Sequence, residues 1–85
     1  HAPVILLGAL GNHLEVLELL VDENSPLEGA RLGDMSLPGE TLIISVLRGD
    51  HAMIPNADTV FEQGDVLVAL VPQELESSLR EFIIG

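Results

Sequence analysis

The fold of this chain follows from one stretch, TLIISVLRGD at residues 41–50. Thr41 to Arg48 is β-branched and apolar on both sides, which predicts a strand covered on both faces. Gly49 and Asp50 form a two-residue connection with glycine first, the pattern of a type II′ turn, so His51 to Ile54 should pair back antiparallel. Strict alternation assigns the strand's side chains to two sets: Leu42, Ile44 and Val46 on one face, and Ile43, Ser45 and Leu47 on the other.

The chain after this hairpin supplies another strand and a helix. Pro55 ends the pairing, and residues 63–65 make a turn into six apolar residues, Val66 to Val71, which predict a central strand. Pro72 is a good first helical residue. Apolar side chains then recur with helical spacing at Leu75, Leu79, Phe82 and Ile83. This spacing predicts a C-terminal helix with its apolar face on the sheet, followed by Gly85 as a cap.

The first half of the chain is less regular. Residues 14–21 fit both a helical apolar face and strand alternation, and periodicity alone favours the helix. Pro26 suits the start of a short helix from Leu27 to Asp34. Residues 1–13 show no alternation and are punctuated by glycines, so we interpret them as a linker or a remnant of a fusion, with the domain at 14–85.

Composition limits the classes of function. Acidic residues number 14 against three arginines, for a net charge of −11. This charge argues against nucleic acids and anionic bilayers as partners. The absence of cysteine excludes a disulfide framework, a thiolate zinc site and a cysteine nucleophile.

The predicted elements combine into one small α+β domain: a mostly antiparallel sheet, a short helix after the first strand, and a C-terminal helix packed on the sheet. Val, Ile and Leu make up 30 of the 85 residues, whereas the aromatic residues are only Phe61 and Phe82. A core of this size is marginal, because a short chain buries a smaller fraction of its surface. We therefore predict that the domain is a homodimer.

Several short motifs, in order, resemble the TrkA-C domain, also called the C-terminal lobe of regulator-of-potassium-conductance subunits. The motifs are Ser25-Pro26-Leu27-Glu28-Gly29, Arg48-Gly49, Ile54-Pro55, Asp58-Thr59 and Gly64-Asp65. The resemblance covers about residues 14–84 and implies that Glu15 to Val21 is a strand rather than a helix, with Glu15 and Glu18 exposed or at an edge.

The resemblance also implies a function. Members of this family resemble cytoplasmic regulators: the domain follows a Rossmann-type nucleotide-binding lobe or is attached to a potassium or other cation channel or transporter, and it pairs with a second copy. Some members bind a small effector, such as cyclic di-AMP, between the copies. The resemblance thus implies an effector-binding and dimerisation module at the cytoplasmic face of the membrane, with no enzyme activity.

Matched residue by residue, the resemblance places an effector site at Arg31, Leu32, Ile54, Pro55 and Asn56, with Thr41 nearby. The turn at residues 37–41 departs from the binders' pattern, since it has neither their arginine nor their asparagine. Glu40 adds a negative charge where a phosphate would approach. The effector, a nucleotide or a cyclic dinucleotide, is therefore an open prediction, and a purely structural dimerisation domain that binds no ligand is the alternative.

Two acidic clusters and one tripeptide have simpler explanations than a further site. In the first cluster, His13, Glu15 and Glu18, no second group completes a metal site, and a solvated strand face explains the residues. In the second, Asp58, Glu62 and Asp65, the spacing lacks the alternating ligands of a known calcium loop, so we predict no metal site. Arg48-Gly49-Asp50 spells an adhesion tripeptide but is explained by the hairpin turn. The serines and histidines lack the context of a catalytic nucleophile or base, so we predict no catalytic residues.

Overall fold

The protein was analysed as a computed structural model, which describes residues 3–84. Five strands form one antiparallel sheet in the order β1-β2-β5-β3-β4. The strands are β1 Val4–Leu10, β2 Leu14–Leu20, β3 Leu42–Arg48, β4 His51–Met53 and β5 Val66–Pro72. One α-helix, α1 Glu76–Ile84, follows a 3-10 turn at Gln73–Leu75, and a second 3-10 turn spans Leu32–Asp34. The antiparallel sheet and the C-terminal helix confirm the predicted fold class.

The hairpin between β3 and β4 follows the prediction. Arg48 lies opposite His51, so Gly49 and Asp50 alone connect the strands. Gly49 has φ of +63°, whereas Asp50 does not have a positive φ, as a type II′ turn requires. The sequence pattern therefore predicts both the pairing and the turn.

The prediction that side chains alternate strictly along β3 is wrong, because the strand contains a bulge. Ile43 pairs with Ala69 and Ser45 pairs with the next residue of β5, Val68, so Ile44 is an extra residue. Ile43 and Val46 are consequently both buried. A bulge shifts every later side chain to the opposite face, and alternation read from sequence cannot detect it.

β2 is a strand, as the family resemblance implies, and the helical tendency of residues 14–21 is overridden. The strand pairs with β1 on one side and β5 on the other, and these two ladders satisfy its backbone groups. β1 itself lies in the segment that we interpreted as a linker. It has no clean alternation because its register shifts between Leu6 and Gly8 and it lies at the edge of the sheet.

The short helix predicted at Leu27 to Asp34 is not confirmed. Residues 22–30 form turns, and helical geometry is limited to the 3-10 turn. Gly29, with φ of +77°, donates its N–H to Phe61 O, and Phe61 N–H donates to Ala30 O. These bonds to a distant segment take the place of the i to i−4 bonds of a helix.

The core lies on one face of the sheet, under α1. It contains Leu17, Leu19, Val21, Leu27, Ile43, Val46, Phe61, Leu67, Ala69, Val71, Leu79 and Ile83, and Val4 joins it from β1. Leu79 and Ile83 are the buried residues of α1, while Leu75 and Phe82 pack against the core from its edge. This agrees with the predicted apolar helix face, although the cap predicted at Gly85 lies outside the described residues. Within residues 3–84, none of the helices has the length and apolar character needed to cross a membrane.

Candidate functional site

The predicted effector site is built around a tight turn at Asn56–Thr59. Asn56 Oδ1 accepts the N–H of Asp58 at 2.8 Å, and Thr59 Oγ1 accepts the N–H of Asn56 at 2.9 Å. Thr59 N–H also donates to Asn56 O at 3.1 Å. Asparagine forms such side-chain turns readily, so Asn56 fixes the local backbone. Its amide nitrogen takes no part in these three bonds and remains a possible donor to a ligand.

A second segment, Arg31–Gly33, lies against this turn. Leu32 N–H donates to Thr59 O and Gly33 N–H donates to Ala57 O, both at 2.8 Å. A Cβ on Gly33 would lie 2.8 Å from Ala57 O, so only glycine permits this close approach. The structure therefore brings Arg31 and Leu32 beside Asn56, although they are far apart in sequence.

The guanidinium group of Arg31 supplies the positive charge of this region and forms ion pairs with two carboxylates. Its Nη1 lies 3.0 Å from Asp34 Oδ1, and its Nη2 donates to Asp58 Oδ1. The side chains of Arg31, Asp34 and Asp58 are 44%, 72% and 82% exposed. Each ion pair is therefore weak and open to competition, being worth about 0.2–1 kcal/mol. The cluster as a whole has a net negative charge.

Ile54 and Pro55 give the site its apolar surface. They follow β4 directly, and Ile54 is 86% exposed. Thr41 belongs to a different turn, in which its Oγ1 donates to Pro38 O at 2.7 Å. We name Arg31, Leu32, Ile54, Pro55 and Asn56 the effector patch.

The effector patch is a surface rather than a closed cavity. A cleft of about 250 Å³ lies elsewhere, between the turn at residues 22–25 and the end of α1, where Leu20 and Ile83 line it. None of the five patch residues lines that cleft. A ligand on the patch would thus need a second wall from another molecule.

An ion pair between the partly exposed Arg48 and the buried Asp65 is the strongest polar feature that sequence reasoning missed. Arg48 also lies 3.0 Å from Glu62 Oε2 and donates to Val60 O at 3.0 Å. Hydrogen bonds from Arg48 hold the pKa of the Asp65 carboxyl below its usual range. The sequence signal for this pair was an arginine at the end of the apolar strand β3 and an aspartate directly before the apolar strand β5. Asp65 and Glu62 therefore hold the loop to β3, while the third member of that acidic cluster, Asp58, pairs with Arg31.

A pair of carboxyl groups, Glu15 and Glu76, links β2 to the start of α1. Glu15 Oε1 is buried and, in the part of the chain that the structure describes, has no ordinary hydrogen-bond partner. Hydrogen bonding with Glu76, together with desolvation, raises the pKa of Glu15. The contacts with Glu15 and Arg80 lower the pKa of Glu76. Glu15 was expected to be exposed or at an edge, but its Oε1 is buried and its neighbours Glu76 and Arg80 belong to α1.

Comparison with known proteins identifies the family. The model of the TrkA-C domain matches residues 16–84. The chain belongs to the TrkA-C domain family. It is 36% identical over 75 residues to a Trk system potassium uptake protein TrkA homolog of Archaeoglobus fulgidus, covering 88% of this chain and 17% of that protein. It is 28% identical over 69 residues to the Trk system potassium uptake protein TrkA of Mycobacterium tuberculosis, covering 81% of this chain and 31% of that protein.

This TrkA-C domain spans less than a third of either relative. A solved structure described as "Structure of RCK domain with cda" superposes with a TM-score of 0.69 at 20% identity, covering 80% of this chain and 96% of the other. At that identity the likeness shows the shared fold alone. The sheet and C-terminal helix of this TrkA-C domain therefore have a fold similar to that of the solved RCK domain.

Proposed function

We propose that this TrkA-C domain is a regulatory module of a potassium transport system, in which two paired copies bind a small effector. The relatives with which it shares 28–36% identity are Trk system potassium uptake proteins. In the whole protein, the domain would work with a Rossmann-type nucleotide-binding lobe at the cytoplasmic face of a membrane channel or transporter. An effector that binds one arrangement of the paired copies better than another would shift the transport protein between states.

The observation that carries the proposal is the docking of Arg31–Gly33 against the Asn56–Thr59 turn. It brings Arg31 to the segment that carries Asn56 and, two residues earlier in the chain, the exposed side chain of Ile54. Small-ligand sites combine apolar cover with a few directed polar groups in this way. The patch suits a nucleotide or cyclic dinucleotide, with a flat base on Ile54 and Pro55 and an anionic group on Arg31. The second copy would supply the opposite wall.

A thermal-shift screen of the chain with nucleotides, cyclic dinucleotides and divalent cations tests the proposal. A ligand that binds only the native state raises the melting temperature. We expect a rise with an anionic nucleotide, and calorimetry should then show weaker binding by Arg31→Ala and Asn56→Ala. Arg80→Ala serves as a control, because Arg80 pairs with Glu76 on α1 rather than with the patch.

A purely structural dimerisation domain is the second candidate, and the pairing of Arg31 with two carboxylates favours it. The charge of Arg31 is already shared within the chain, and Glu40 adds to the negative field of the domain. A dimeric chain whose melting temperature is unchanged by every compound of the screen would support this candidate over effector binding.

A further inference from the structure

The cleft of about 250 Å³ between the end of β2 and the last turn of α1 is apolar on one side. Four residues from three segments of the chain form that side: Pro3, Leu20, Ile83 and Ile84. Ile83 is buried in the core, whereas Ile84 is 68% exposed. A hollow that offers apolar contact at the surface is a position where a small ligand can bind.

The opposite side of the cleft is polar and acidic. The turn at residues 22–25 supplies it, with two exposed carboxylates, those of Asp22 and Glu23. Asp22 Oδ1 accepts the N–H of Glu23 at 2.9 Å, and Ser25 N–H donates to Asp22 O at 3.0 Å. The backbone of the turn is therefore held in place, while the negative charge of both carboxylates is available to a ligand.

Other groups of the chain do not neutralise this charge. The chain has three arginines and no lysine, and all three arginines pair with carboxylates outside the cleft. Within residues 3–84, none of the ion pairs includes Asp22 or Glu23. The last turn of α1 has no basic residue, and the carbonyl groups at the end of a helix carry partial negative charge. The complementary positive charge is thus left to a ligand.

We propose that the cleft binds a small alkylammonium ion. Its hydrocarbon chain lies on the apolar residues, and its ammonium group lies between the two carboxylates and the C-terminal end of α1. Such a ligand joins α1 to the turn after β2. The site is separate from the effector patch and lies within a single copy of the chain.

The size and the two-sided chemistry of the cleft select this class of ligand. One water takes about 30 Å³ of liquid volume, so the cleft holds roughly eight waters or an organic ion of similar volume. An alkyl chain gains free energy from contact with the apolar side, and an ammonium group offers three donors to carboxylate and carbonyl oxygens. A hydrated metal ion could use only the oxygens, and an uncharged molecule could use only the apolar residues.

NMR titration of the isotope-labelled 85-residue chain with pentylamine tests the site, at about pH 7 and about 0.15 M salt. We expect saturable shifts of the amide signals of residues 20–25 and 83–84. The dissociation constant should be on the order of 1 mM, the strength available to a ligand of this size. Methylamine keeps the charge without the chain, and pentanol keeps the chain without the charge. Each should bind at least about 5-fold more weakly than pentylamine.

A first pair of variants tests the acidic side. Asp22→Asn/Glu23→Gln removes both charges but keeps a side-chain oxygen at position 22 for the N–H of residue 23. The dissociation constant for pentylamine should rise at least about 5-fold, the effect of losing two exposed ion pairs. Glu40→Gln/Asp50→Asn is the matched control, because it makes the same change of net charge at two exposed residues outside the cleft. It should change the constant less than about 2-fold.

A second pair of variants tests the apolar side. Ile84→Ala removes exposed apolar surface from the cleft and should weaken pentylamine binding at least about 3-fold. Ile54→Ala is the control, because Ile54 is 86% exposed but does not line the cleft. It should change the dissociation constant less than about 2-fold, since its contacts with a bound ligand are unchanged.

The contrary outcomes are distinct from those for the effector. Shifts spread evenly over the acidic surface, or equal weakening by the two double variants, would indicate general attraction to a chain of net charge −11 and would overturn the site. Methylamine that binds as tightly as pentylamine, or an absence of saturation below about 20 mM, would also overturn it. The effector proposal has its own test, with anionic nucleotides and Arg31→Ala, so either proposal can fail without the other.

Discussion

Arg48 at the end of β3 and Asp65 just before β5 form a two-point ion pair, with Nε 2.9 Å from Oδ1 and Nη2 2.7 Å from Oδ2. The Asp65 side chain is only 1% exposed and also accepts the N–H of Glu62 at 2.9 Å. Two charged hydrogen bonds and one backbone bond therefore compensate a carboxylate that has lost its water. The pair fastens the loop at residues 60–65 to the sheet.

We predict that Arg48→Met lowers the free energy of unfolding by about 2–4 kcal/mol, because it leaves the buried carboxylate of Asp65 without its partner. Arg31→Met is the control: its ion pairs are exposed, so it should lose less than about 1 kcal/mol. Urea unfolding at one protein concentration measures both. Equal losses of unfolding free energy in the two variants would show that the Arg48–Asp65 pair stabilises the fold no more than the exposed ion pairs of Arg31.

The same pair predicts a loss of stability in acid. The pKa of Asp65 is lowered in the folded state from its ordinary value of 3.8, mainly by the hydrogen bonds from Arg48. The stabilisation is therefore complete above the unfolded pKa and is lost as the pH falls through the folded pKa. Asp65→Asn should be less stable than the wild type at pH 7 but should lose less stability below about pH 4. Parallel stability curves down to about pH 2 would contradict this.

Glu15 predicts a pH dependence of the opposite sign. Its pKa is raised in the folded state from 4.5, mainly by the hydrogen bond with Glu76, so its contribution is complete below the unfolded pKa and is lost as the pH rises through the folded pKa. Glu15→Gln supplies an amide N–H as donor to Glu76 and has no carboxyl group to ionise. The variant should therefore not lose stability through this residue as the pH rises. Melting temperatures measured from about pH 4 to about pH 8 should thus decline less in Glu15→Gln than in the wild type. Glu28→Gln is the matched control and should follow the wild-type curve.

Substitution of Gly49 tests the predicted turn between β3 and β4. Its φ is +63° and nothing lies within 4 Å of an added Cβ, so a substitution there meets backbone strain alone. Gly49→Ala should cost about 1–2 kcal/mol, the penalty for a side chain in the left-handed region. Gly8→Ala is the comparison, because Gly8 has equal space and is not among the glycines with positive φ. If chemical denaturation finds the two variants equally stable, the positive φ of Gly49 does not strain an alanine at this position.

The carboxylates around Arg31 predict a gain of affinity. If an anionic effector binds at Arg31, Asp34→Asn and Asp58→Asn should each raise its affinity about 2–5-fold, because each removes a competing ion pair worth about 0.2–1 kcal/mol. Asp50→Asn, in the hairpin, controls for net charge. Calorimetry with the compound selected by the thermal-shift screen distinguishes these variants. A gain as large in Asp50→Asn would indicate a general charge effect and not a site at Arg31.

Sequence reasoning was most reliable where the decisive interactions are local. The hairpin at Gly49, the apolar run of β5 and the helical spacing of Leu75, Leu79 and Ile83 each depend on residues within one turn or one strand. It failed at Leu27 to Asp34, where Gly29 and Ala30 bond to Phe61 instead of completing a helix. It also misjudged Glu15, whose environment comes from α1, about sixty residues away.

Local patterns and composition were sufficient to predict the small α+β class, the positions of most strands along the chain, the strongly negative charge and the family. These depend on periodicity, glycine and proline positions, and charge, which are properties of the chain. Long-range contacts, which exist only in the folded chain, bring β1 into the sheet, turn Leu47 outward through the bulge at Ile44, and place Arg31 beside Asn56 between two carboxylates. Register and long-range pairing depend on how distant segments satisfy each other's hydrogen bonds, and no local pattern carries that information.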